Sequence, residues 1–103
     1  MKKYIPLKAN DKATDLRVEL TYDLGGYNLF DYTKQPRGYY LVVTPVTRQS
    51  GFESFTAFTG LQKCIKEVKR KSKGAELAAI KDAELVEKAM IGRVLASNHL
   101  ELA

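Results

Sequence analysis

Between positions 16 and 22 apolar and polar side chains alternate: Leu16, Val18, Leu20 and Tyr22 against Arg17, Glu19 and Thr21. A period of two sends successive side chains to opposite faces, so the segment predicts a half-buried strand, ended or bulged at Gly25-Gly26. Tyr39 to Val46 is rich in aromatic and β-branched residues and predicts the strongest strand of the chain. Tyr39 and Tyr40 must then face opposite ways, with one of them in the core. Arg48-Gln49-Ser50-Gly51 reads as a hairpin loop and Phe52 to Phe58 as the returning strand. Tyr4 to Leu7 is a short edge strand in which Pro6 cannot donate, and Pro36-Arg37-Gly38 is a turn. The less regular stretch from Tyr27 leaves room for a short strand.

The period changes after Gly60. Leu61, Cys64, Ile65 and Val68 stand at i, i+3, i+4 and i+7, and Thr59 with Gln62 matches a capping box, so the pattern predicts a helix reaching to about Gly74. Ala75 to about Leu95 predicts a second helix with two apolar faces. One carries Ala75, Ala79, Ala83, Val86 and Met90, the other Leu77, Ile80, Ile91 and Leu95. Two apolar faces point to a sandwiched helix or to a homodimer through Leu77, Ile91 and Leu95. His99 to Ala103 reads as a frayed tail. The expected fold is α+β, a three- to four-stranded antiparallel sheet followed by two helices in the order ββββαα, in one domain spanning 1–103.

Charge sharpens this picture. The 103 residues carry a net charge of +5, with an isoelectric point near 9.4. Lys63, Lys66, Lys69, Arg70, Lys71 and Lys73 lie between Gly60 and Gly74 with one acid, Glu67, so this segment alone carries a charge equal to that of the chain. A local patch is a better sign of a partner than a basic character spread over the surface. On a helix, Lys63, Lys66, Arg70 and Lys73 fall opposite the apolar stripe, and Lys69, Arg70 and Lys71 suit the negative end of the helix dipole. The aromatic residues Tyr27, Phe30 and Tyr32, near Arg37 and Arg48, offer surfaces on which bases stack or a protein interface anchors.

Catalytic chemistry finds no support. The sequence has no nucleophile elbow and no phosphate loop. One histidine, His99, and one cysteine, Cys64, cannot build a Cys/His zinc site. Asp11 and Asp15 fit turn and capping duty better than a metal. No cofactor is expected. No stretch approaches 18 apolar residues, so no membrane span is expected, and the first residues lack the apolar core of a secretory signal. The single cysteine excludes an internal disulfide and fits a reducing compartment. These features describe a small basic cytoplasmic binding protein rather than an enzyme.

Residues 12–20, Pro36-Arg37-Gly38-Tyr39-Tyr40-Leu41, 53–60 and 67–73 together resemble small accessory proteins carried on phages, plasmids and conjugative elements of Gram-positive bacteria. Some proteins of that size and setting are anti-CRISPR inhibitors of type II RNA-guided nucleases. The resemblance implies binding to such a nuclease or to its guide RNA. It implies no catalytic residue. A basic chain does not suit DNA mimicry. The alternative is a small nucleic-acid-binding protein that serves element transfer or transcription. The candidate partner-binding residues are Lys63, Lys66, Lys69, Arg70, Lys73, Tyr27, Phe30, Tyr32, Arg37 and Arg48.

Overall fold

The computed structural model describes residues 1–27, 32–55 and 59–103. Its strands are β1 (Lys2–Pro6), β2 (Asp15–Asp23), β3 (Gly26–Tyr27), β4 (Lys34–Gln35), β5 (Gly38–Gln49), β6 (Phe52–Phe55) and β7 (Leu61–Lys66), followed by one helix, α1 (Ala75–Asn98). β5 is the spine of the main sheet. It pairs with β2 along one edge, and β2 pairs with β1. β6 and β7 share its other edge, β6 along Val46–Gln49 and β7 along Tyr39–Val43. All these pairings are antiparallel. β3 and β4 form a separate small hairpin.

The alternation in β2 and β5 does what its period requires. Leu16, Val18, Leu20, Tyr39, Leu41 and Val43 are buried on the face that receives α1. Ala75, Ala79 and Ala83 recur every four residues, the spacing of one helix face, and let the first half of α1 approach the sheet closely. Met90 and Val94 fill the space under the second half. A two-residue loop, Ser50-Gly51, closes the β5–β6 hairpin with φ of 45° and 86°. Two positive φ angles are the mark of a twist-matched turn, in which glycine fits the second place.

Three expectations need correction. The fold is α+β with an antiparallel sheet, but the segment after Gly60 is strand β7 and a turn, so there is one helix and not two. Without β7 the outer edge of β5 from Tyr39 to Val43 would leave backbone donors and acceptors unpaired beside a buried strand, and Leu61–Lys66 fills that need. Leu61, Ile65 and Val68 still pack against the core. A register shift between Tyr39 and Tyr40 breaks the strict alternation of β7, which explains why its apolar spacing mimics a helix. Second, Tyr39 and Tyr40 are both buried, at 6% and 4% exposure. Tyr39 meets Tyr22 edge to face in the main core, while the Tyr40 hydroxyl donates to Pro36 O at 2.6 Å on the opposite face. Third, the C-terminal residues are not a frayed tail. His99 takes φ 54° and closes α1, with its own N–H donating to Ala96 O and that of Leu100 to Leu95 O. Leu100 is buried, and Leu102 bridges Leu7.

The expected dimer face divides within the single chain. Ile91 and Leu95 pack against the core, whereas Leu77 is 58% exposed. No helix among the described residues is long and apolar enough to cross a membrane.

Candidate functional site

The segment after β7 is fixed to the sheet at several points. Gly38 at the start of β5 meets the backbone of Lys66 so closely that a Cβ there would lie 2.2 Å from Lys66 O. Only glycine permits that approach. Val68 packs against the core. The Arg70 N–H donates to the Tyr22 hydroxyl at 3.0 Å, and its guanidinium lies 5.9 Å from the centre of the Tyr22 ring. Ser72 N–H donates to Lys69 O, and Ala75 N–H to Ser72 O, which closes the turn into α1. The turn is thus held by its backbone and by Val68, and the side chains of Lys69, Arg70, Lys71 and Lys73 stand exposed.

The basic run therefore precedes a helix. The sequence pattern sets Lys69, Arg70 and Lys71 at the negative end of a helix; in the structure they lie just before the N-terminus of α1, at Gly74. The positive end of the dipole adds to their field rather than offsetting it. Among the described residues the ion pairs are Lys3–Glu87, Lys8–Glu101, Arg17–Glu19 and Arg17–Glu53. No cation between Gly60 and Gly74 takes part. Asp23, close in sequence to the β3–β4 hairpin, is occupied by Gly25 N–H and Gln35 Nε2.

The hairpin stands beside this turn. Arg37, whose Nε donates to Leu24 O at 3.3 Å, lines two adjoining depressions of about 490 and 350 Å³. Lys34 lines the larger and Lys69 the smaller, and both share Glu67 as well as Arg37. Tyr27 faces Lys34 across the hairpin, so their side chains share one face. Tyr27 and Tyr32 are 72% and 83% exposed. Tyr32 also holds φ at 57°, uncommon for a bulky residue.

The expected site residues thus separate. Lys66, half-buried opposite Tyr39, lies at the Gly38 end of β5. Arg37 and Lys69 share one depression and Tyr27 the hairpin beside it, whereas Arg70 lines another depression with Glu19 and Glu76, and Lys73 and Tyr32 are exposed nearby in sequence. Lys63 is exposed along β7, opposite Leu41. Phe30 lies outside the described residues. Arg48 is at the far end of β5, where its guanidinium lies 3.8 Å from the centre of the Tyr4 ring. There the Tyr4 hydroxyl donates to Glu53 Oε2, and Arg17 Nη1 donates to Glu53 Oε1 at 2.7 Å. Tyr4 first, then Arg17, hold the Glu53 carboxyl below its ordinary range. Lys34 and Glu67 escaped the sequence reading because their roles depend on the hairpin meeting the turn. A lysine two residues from an exposed tyrosine was the available signal.

Among the described residues no three His, Cys, Asp or Glu side chains are grouped as a metal site. Comparison with protein-family models, with curated proteins and with solved structures finds no match for this chain.

Proposed function

We propose that this chain is a non-catalytic binding protein whose basic end, from Lys66 to Lys73 with Arg37 and Lys34, engages the phosphate backbone of a nucleic acid. The observation that carries the reading is the gathering of exposed cations, Lys34, Arg37, Lys69, Arg70, Lys71 and Lys73 beside the half-buried Lys66, with no ion-pair partner among the described residues. Cations that fold the chain find carboxylates, whereas cations left in solvent are free to displace counterions from a polyanion. The resemblance to accessory proteins of Gram-positive mobile elements implies a type II RNA-guided nuclease or its guide RNA as the partner, and of the two the exposed cations favour the guide RNA, with inhibition of that nuclease as the consequence of binding.

A pull-down from a host lysate carrying such a nuclease tests this, performed with and without RNase and DNase, with wild type and with Lys69, Lys71 and Lys73 changed to Gln. Capture of the nuclease that RNase abolishes, and that the triple variant loses, is the expected result. Capture that survives both nucleases would overturn the phosphate reading in favour of an acidic protein surface. Recovery of nucleic acid without the nuclease would move the function to element transfer or transcription.

A further inference from the structure

The two depressions between hairpin and turn share Arg37 and Glu67, so they form one groove with Lys34 toward one end and Lys69 toward the other. The groove carries cations along its length, and Tyr27, exposed and paired with Lys34 across the hairpin, stands beside that lining without being part of it. Tyr32 stands two residues before Lys34 and is exposed too. Neither ring contributes to the core, because each leaves most of its surface in water.

Cations alone attract single and double strands alike. Aromatic rings distinguish them, because a duplex keeps its base faces stacked on one another while an unpaired base can lay its face on a side chain. We infer that the groove takes a single-stranded nucleic acid, its phosphates against Lys34, Arg37 and Lys69 and its bases on Tyr27 and Tyr32. Glu67 repels phosphate at the point the two depressions share, so the backbone crosses beside it, on the side of Arg37. The inference rests on the phosphate-binding reading and adds the strandedness of the ligand and the residues that read it.

The probe is a fluorescein-labelled RNA of about 12 nucleotides, within the range of known single-strand site sizes, used alone and annealed to its complement. Affinities are measured by anisotropy at several salt concentrations for wild type, Tyr27→Ala, Tyr32→Ala and the triple Lys→Gln variant, each checked by circular dichroism. The single strand is expected to bind about tenfold or more tighter than the duplex. Each tyrosine variant should lose about tenfold on the single strand, as removal of one stacking platform does, with little change in the salt slope. Equal affinity for duplex and single strand, or tyrosine variants that bind like wild type while the lysine variant fails, would overturn the single-strand inference and leave phosphate binding standing. Binding of neither probe, or a lysine variant with wild-type affinity, would overturn the phosphate reading and the inference with it.

Discussion

The two ends of β5 handle charge in opposite ways. At the Arg48 end, Arg17 is bonded to Glu53 and lies 4.6 Å from the centre of the Phe55 ring, Glu53 accepts from Tyr4, and Arg48 covers the Tyr4 ring. Each of these groups has an intramolecular partner, and Arg17 and Glu53 are less than a quarter exposed. At the Gly38 end, Lys69, Arg70, Lys71 and Lys73 project from a turn whose anchors are backbone atoms, Val68 and Tyr22. The first arrangement spends its charges on joining β1, β2 and β6. The second fixes the backbone, sets Arg70 over the Tyr22 ring and leaves the three lysines over. Similar side chains thus do different work according to what stands opposite them, and a count of basic residues does not separate the two.

The sharpest way to break the comparison is Gly38→Ala. The added methyl cannot coexist with Lys66 O, so β7 and the turn must move away from β5. A loss of about 3 kcal/mol, the upper range for overpacking, is expected in urea denaturation, together with loss of RNA binding. A stable, fully binding variant would mean that the turn is not positioned by this contact.

Alkali provides a second test at the same end. Burial first, and then a hydrogen bond with Cys64, push the Tyr40 hydroxyl up to about 12 from 10.0. A group held protonated in the folded state gives its full stability below the unfolded value and loses it as pH rises toward the folded value. Stability should therefore fall between pH 10 and 12 by about 3 kcal/mol. Tyr40→Phe should flatten this limb while losing the bond to Pro36 O. An unchanged alkaline limb would remove Tyr40 as its cause.

Glu53 tests the opposite end. Glu53→Ala leaves the Tyr4 hydroxyl without its acceptor and Arg17 with only the longer pair to Glu19, and should cost about 1–3 kcal/mol, with RNA affinity unchanged. Because the folded carboxyl is held low, its contribution is present above the ordinary value of 4.5 and fades as pH falls below it. Glu53→Gln should flatten that acid limb. A loss of RNA affinity in either variant would show that the two ends are not separable.

Much of this arrangement was legible in the residues. The alternation of 16–22, the β-branched run of 39–46 and a helix beginning at Ala75 are local patterns, and the structure keeps them; the hairpin expected at 48–51 is also there, with its loop shortened to Ser50-Gly51 because Arg48 and Gln49 pair within the ladder. β7 was not legible, because Leu61, Cys64, Ile65 and Val68 satisfy a helical stripe while the deciding term, the unpaired edge of β5, is non-local. The burial of Tyr40 depends on Pro36, and the order at Leu100 and Leu102 depends on Leu95 and Leu7. The basic cluster was visible as charge. Its separation from Arg48 was not, since that required knowing that Gly38 to Gln49 is one unbroken strand of twelve residues with Arg48 near its far end.

The smallest expected effect on folding belongs to the triple Lys69, Lys71 and Lys73→Gln variant, about 0.5 kcal/mol or less per site, and it carries the central claim. The measurement is the logarithmic salt dependence of affinity for the single-stranded RNA, wild type against this variant. At about −0.7 per phosphate neutralised on a single strand, the account predicts a wild-type slope that becomes shallower by about 0.7 for the loss of Lys69 from the groove and by up to about 2 where Lys71 and Lys73 each neutralise a phosphate beyond it, with the denaturation midpoint little changed. Identical slopes in the two proteins would contradict it.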